Sequence, residues 1–170
     1  MLKYPNDCET GIVCVSKKND LKKAQITLGW REWVSLPALG LDQIKAKVDT
    51  GARTSTLHAF RISEFEADGR QKVEFLVHPN QRDHETVVKC TADIVDRRSV
   101  RDSGGHSERR WVIKTPLLLG GRTWPIEMTL TERDNMLFRM LLGRTAMAGI
   151  AIVDPKKSYL ASKRPQHGKE

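Results

Sequence analysis

One carboxylate stands out by its setting. Asp49 lies in the run Lys47-Val48-Asp49-Thr50-Gly51-Ala52-Arg53. A carboxylate fixed at a strand end, with glycine beside it, can take or give a proton as general base or acid. The Thr50 hydroxyl can hydrogen-bond across a narrow gap. Gly51 lets the backbone turn tightly or approach another chain closely. Asp-Thr-Gly is also ordinary turn chemistry, so the tripeptide alone leaves both readings open. The remaining reactive side chains are scattered. Cys8, Cys14 and Cys90 are odd in number and lack the close pairing of a zinc ribbon. His58, His78, His84, His106 and His167 show no His-Glu-x-x-His spacing. Gly120-Gly121 joins two strands instead of opening a helix, so it is a turn and not a phosphate loop. Neither a metal site nor a cofactor is expected.

The elements that must hold Asp49 follow from periodicity. Ile44, Ala46 and Val48 alternate with Lys45, Lys47 and Asp49, which predicts a half-buried strand. Strand character resumes at Thr54-Ser55-Thr56-Leu57. Upstream, Gly29 to Leu36 alternates and is rich in tryptophan, a strand ended by Pro37. Downstream, an extended segment from Thr56 to Phe65 meets a hairpin turn at Ala67-Asp68-Gly69-Arg70 and returns as Lys72 to His78. Thr86 to Val95 is a further strand, with Cys90 in the core. The charged stretch Asp96 to Arg110, with Ser103-Gly104-Gly105-His106 at its middle, is expected to be a mobile hairpin tip. Leu117-Leu118-Leu119 runs into Gly120-Gly121, and Trp124, Ile126, Met128 and Leu130 alternate along another strand. Met136 to Leu142 is apolar and ends at Gly143. Arg144 to Ala148 is a short helix broken by Gly149, and Ala151 to Asp154 is a last strand. Many short strands with one short helix predict an all-β fold, a small closed or nearly closed barrel.

The chain of 170 residues carries a net charge of +8. One domain is expected over 26–160, with an N-terminal extension over 1–25 and a basic tail over 161–170 that frays beyond Leu160. The charge run Lys17 to Lys23 predicts a solvated arm, and Ile12 to Val15 could add an edge strand. A basic balance favours an acidic partner: nucleic acid, an anionic membrane surface or an acidic peptide. An aromatic content of only 6% argues against a base-stacking platform. No apolar stretch approaches the roughly 20 residues of a membrane span, and no apolar signal core follows the polar N-terminus. The expected location is the cytoplasm.

Two stretches gain meaning together: Val48-Asp49-Thr50-Gly51-Ala52 and, far downstream, Met140-Leu141-Leu142-Gly143-Arg144. The pair resembles the retropepsin-like aspartic peptidases over roughly Ile26 to Leu160. The hairpin around Ser103-Gly104-Gly105-His106 falls where that family carries its flap. The wording from Lys45 to His58, with Leu141-Leu142-Gly143-Arg144, is similar to a bacterial subgroup, the RimB type, long labelled ATP-dependent zinc proteases. That subgroup is associated with an ATP-grasp ligase that adds glutamates to a ribosomal protein. The resemblance therefore implies a peptidase that trims α-linked glutamate tails. The zinc and ATP of the old label have no support in the histidine spacing or in a Walker loop.

The resemblance also implies roles. Asp49 would be catalytic. A single Asp-Thr-Gly motif requires a second chain to supply the second carboxyl, hence a two-fold homodimer with one active site on its axis. Thr50 would bond across the axis, Gly51 would permit the approach, Ala52 would complete the loop, and Leu141, Leu142 and Gly143 would back it. The family often carries an acidic residue where this chain has Arg53, whose guanidinium could pair with a substrate glutamate. Gly104, Gly105 and His106, with Arg101, Arg109 and Arg110, would contact substrate from the flap. The implied partners are a second copy and an acidic peptide or glutamylated protein; neither a membrane nor nucleic acid is expected. Two competing readings stand beside this one. The first is a peptidase-like barrel that has lost activity and binds a protein or peptide. The second is a basic β-barrel that binds nucleic acid, supported by the net charge and the Lys17 to Lys23 arm.

Overall fold

A computed structural model describes residues 25–81, 83, 85–101, 105–132 and 137–162. The expected arm, the Ile12 to Val15 strand, Cys8, Cys14, Gly104 and the end of the basic tail from residue 163 lie outside them.

The described chain is mostly strand with one short helix. Its elements are β1 (Ile26–Gly29), β2 (Arg31–Leu36), β3 (Leu41–Val48), β4 (Ser55–His58), β5 (Phe60–Ala67), β6 (Arg70–Val77), β7 (Val88–Arg101), β8 (Ser107–Leu119), β9 (Arg122–Thr131), β10 (Met140–Leu142), α1 (Arg144–Met147) and β11 (Ala151–Asp154). Strands β2-β3-β10-β4-β9-β8 are neighbours in that order, and the Ser35–Leu118 pair brings β2 back to β8. Beyond β8 the sheet continues through β7 and β6 to the edge strand β5. β1 and β11 form a separate parallel pair.

Alternation explains most of this. Leu41, Ile44, Ala46 and Val48 of β3 are buried, as are Ile126, Met128 and Leu130 of β9 and Met140 and Leu142 of β10. Together with Leu57, Phe75, Cys90, Ile113 and Leu117 they form one apolar core. Two tight hairpins place both central residues in the left-handed region, Asp68 (φ 54°) with Gly69 (φ 68°), and Gly120 (φ 61°) with Gly121 (φ 72°). Those angles match the twist of the flanking strands.

The structure departs from the sequence expectations in three places. Gly29 to Leu36 is two strands, because the chain changes partner at Trp30: β1 lies beside β11, whereas β2 lies beside β3. The stretch Asp96 to Arg110 is not a loose tip. Arg97 to Arg101 pair residue by residue with Trp111 to Ser107, so strand pairing runs through most of the stretch. The chain is also held beyond Leu160. Glu32 is fully buried on the inward face of β2. Its Oε1 accepts the N–H groups of Gly29 (2.6 Å), Leu160 (2.9 Å) and Ala161 (3.3 Å). Its Oε2 accepts the Ser162 N–H (3.1 Å) and hydroxyl (2.5 Å). A carboxylate out of water needs such donors, and the segment after β11 supplies all of them but the Gly29 N–H.

Candidate active site

The site is built where β10 inserts between β3 and β4. Met140, Leu141 and Leu142 run parallel to Ala46, Lys47 and Val48, while Met140 and Leu141 face Leu57 and Thr56 in antiparallel register. Alternation along β10 buries Leu142 in the core and turns Leu141 toward the cleft described below. Asp49 follows β3 directly, and its N–H donates to the Leu142 carbonyl at 2.9 Å. The apolar run thus continues the sheet under the first residue of the loop.

Within the loop the Asp49 carboxylate is gripped on one side. Oδ1 accepts the N–H of Gly51 (3.0 Å) and of Ala52 (3.1 Å). Gly51 has no positive φ, and a Cβ there would meet only Asp49 Oδ1, at 3.2 Å. Within one chain, the close neighbour a side chain would crowd is therefore the carboxylate itself. Thr50 is exposed.

Gly143 is closely fitted. A Cβ on it would lie 2.6 Å from the Thr54 carbonyl carbon, 2.8 Å from the Ser55 nitrogen and 2.8 Å from the Thr54 oxygen, all backbone atoms. Its N–H donates to the buried Ser55 hydroxyl at 3.1 Å. The next two residues continue the bracing. The N–H of Arg144 donates to the Ala52 carbonyl (2.9 Å) and that of Thr145 to the Arg53 carbonyl (3.1 Å). The Thr145 hydroxyl also donates to the Arg53 carbonyl, at 3.0 Å. The Arg144 guanidinium donates to the carbonyls of Thr50 (3.3 Å) and Gly51 (3.1 Å). Ser55, Arg144 and Thr145 were missed as supporting residues by sequence reasoning. Position was the available signal, since Arg144 directly follows Leu-Leu-Gly.

Above this floor lies a cleft of about 700 Å³. Asp49, Arg53 and Thr56 line it from the loop and β4, and Arg98, Arg101 and Arg110 from the β7–β8 hairpin. Among the described residues, Asp49 is the one carboxylate that lines it. Arg98 and Arg110 are direct cross-strand partners, an arrangement of like charges that is unfavourable unless compensated. Carboxylates compensate it. Arg98 pairs with Asp96 (2.5 Å) and Glu127 (2.6 Å), and these hydrogen bonds hold its proton more firmly. The Arg98 side chain, then the Arg97 N–H, keeps Asp96 below the usual carboxylate range. Arg110 pairs with Glu108 at 2.7 Å, and Glu108 also accepts the Thr131 hydroxyl at 3.2 Å. On the other face of the hairpin, Glu64 receives both Arg97 and the Trp111 indole N–H.

The structure brings Asp49, Gly51, Ala52 and Arg53 together in the cleft, with Leu142 and Gly143 beneath. Gly105 (φ 85°) and His106 are exposed at the hairpin tip and do not line it, nor does Arg109. Among the described residues no three His, Cys, Asp or Glu side chains group as a metal set, and no helix is long and apolar enough to cross a membrane. Burial pushes the Cys90 thiol up to about 11, as befits a core residue.

Comparison with known proteins bears on this arrangement. The family model described as "Retropepsin-like aspartic endopeptidase RimB" matches residues 27–164. A protein named "Probable alpha-L-glutamate ligase" from Shewanella pealeana is 47% identical over 132 residues, covering 78% of this chain and 29% of that protein. A protein of the same name from Desulfotalea psychrophila is 50% identical over 132 residues, covering 78% of this chain and 28% of its own length. The chain thus spans less than a third of these relatives. Among solved structures, a Legionella pneumophila protein of unknown function (DUF785) superposes with a TM-score of 0.69 at 26% identity, covering 81% of this chain and 99% of the other.

Proposed function

Since the chain belongs to the RimB-like family of retropepsin-like aspartic endopeptidases, we propose that it is an aspartic peptidase whose active site is shared by two copies. One observation carries this: Asp49 is fixed by two backbone N–H groups in a cleft that no second carboxylate lines among the described residues. Two Asp49 carboxyls facing one another at close range cannot both ionise cheaply, so they share one proton. The ionised member takes a proton from water while the other donates to the scissile carbonyl, and the water oxygen attacks the carbonyl carbon. The exposure of Thr50 and Gly51 supports a role in meeting their counterparts in the second copy. The strand ring that returns from β8 to β2 is read as the retropepsin barrel.

The substrate is proposed to be an acidic peptide, an α-linked glutamate tail. The arginines of the cleft support this, as do the relatives in which a matching segment sits inside a longer chain named for glutamate ligation. The proposed setting is the cytoplasm, in keeping with an odd cysteine count.

Mass spectrometry of an oligo-α-glutamate peptide incubated with parent and Asp49→Asn protein tests the proposal. Shortened peptides are expected with the parent alone, and sedimentation should give a dimer. Cleavage by both proteins would remove Asp49 from catalysis. Peptide binding without cleavage by the parent would favour the peptide-binding module instead.

A further inference from the structure

We infer that two of the four cleft arginines, Arg53 and Arg101, hold the acidic side chains of the substrate, one from each wall, while Arg98 and Arg110 hold the hairpin together. This rests on the cleft being the peptide site. The four guanidinium groups differ in what they already bind. Arg98 lies between Asp96 and Glu127. Arg110 is 6% exposed in its side chain and bound to Glu108. The charge of each is already compensated by a carboxylate of this chain, so a substrate carboxylate gains less from either than from a guanidinium with no acidic partner. Arg53 and Arg101 are exposed, and no carboxylate among the described residues pairs with either. Arg53 is nonetheless well placed, because its carbonyl is fixed by the N–H and hydroxyl of Thr145. Arg101 ends β7 and is held in register by pairing with Ser107.

Their placement selects a substrate. Arg53 belongs to the loop that carries Asp49, and Arg101 to the β7–β8 hairpin, a separate element of the same cleft lining. Successive side chains of an extended peptide point to opposite faces. Adjacent acidic residues therefore present one carboxylate to the floor and the next to the hairpin. Two consecutive glutamates fill both positions, and a single glutamate among neutral residues fills one.

The test uses a full-length protein carrying Asp49→Asn, so that peptides are bound without being cut. Fluorescently labelled pentaglutamate and pentaglutamine are titrated by anisotropy at low and high salt. Pentaglutamate is expected to bind more tightly, with an advantage that shrinks as salt rises. Adding Arg53→Gln or Arg101→Gln is expected to raise the pentaglutamate Kd by about tenfold each, the order of one charge-assisted hydrogen bond. Pentaglutamine binding should not change. Arg109→Gln, outside the cleft, should leave both Kd values as they were. Equal binding of the two peptides, or Kd values within twofold of the parent for both arginine variants, would overturn the assignment. Cleavage is read separately with Asp49 intact, so a protein that binds through Arg53 and Arg101 but never cuts would sink the peptidase and spare this inference.

Discussion

The two walls of the cleft differ in what is added to their strand pairing. The floor, where β3, β10 and β4 meet, is fixed by backbone hydrogen bonds and by backbone-to-backbone contact at Gly143. The β7–β8 hairpin carries exposed and half-exposed ion pairs, Arg98 with Asp96 and Glu127, and Arg97 with Glu64. Backbone contacts define position within fractions of an ångström, and small errors there displace reacting atoms. Surface ion pairs define charge and tolerate movement. The floor thus suits the placing of a carboxylate, and the hairpin suits the reading of substrate charge.

The sharpest way to break the contrast is to add one methyl group to each wall. Gly143→Ala puts a Cβ 2.6 Å from a backbone carbon that has no rotamer to escape into. Overpacking of this kind costs about 1–3 kcal/mol, and each kcal/mol lowers Tm by roughly 2–4 °C at this chain length. A loop shifted by as little as about 1 Å would lower turnover by roughly a hundredfold. Gly105→Ala meets nothing within 4 Å but sits at φ 85°, so it should cost only about 1–2 kcal/mol of backbone strain and leave kcat within about threefold. A thermal melt with steady-state kinetics on each variant gives the answer. Equal losses in turnover would erase the distinction between the walls.

A smaller effect is expected at Arg144, whose guanidinium holds the Thr50 and Gly51 carbonyls. It touches the loop and does not line the cleft, so it is a positioning residue. Arg144→Ala should cost about 1 kcal/mol of stability, the net value of a typical hydrogen bond. It should lower kcat about tenfold with KM nearly unchanged, the mark of an interaction that matters in the transition state. Arg144→Lys keeps the charge but has no planar fork for two carbonyls, and should recover part of kcat. A rise in KM without loss of kcat would assign Arg144 to substrate binding.

Much of the floor was legible in the sequence, because its devices are short-range. Alternation in Ile44, Ala46 and Val48 marks a strand, Asp-Thr-Gly marks the loop, and an apolar run ending in Gly143 and Arg144 marks the piece that slots beside it. The hairpin was misjudged because dense charge resembles a solvated loop. Its order comes instead from a partner strand and from carboxylates far away in sequence, Glu64 and Glu127. Glu32 shows the same limit. It shares the inward face of β2 with Val34 and Leu36, a charge on an apolar face that local pattern can flag. Beside the nearby Gly29 N–H, three of the N–H groups that satisfy it lie beyond residue 159, and only the folded chain brings them there.

The gentlest change sharpens the comparison from the hairpin side. Glu127→Gln removes one of the two carboxylates on Arg98 and leaves Asp96 in place. Glu127 and Arg98 are 44% and 35% exposed in their side chains, so water already screens the pair. The stability loss should stay under about 1 kcal/mol, a Tm shift of no more than about 4 °C. The effect on charge is more telling. If pairing is what withdraws Arg98 from the substrate, loosening the pair should tighten pentaglutamate binding to the Asp49→Asn protein, by about threefold at low salt and less at high salt. Titration calorimetry at two ionic strengths measures both. Weaker binding would mean that the carboxylate shapes the hairpin more than it neutralises Arg98, and that position and charge are not separable on that wall.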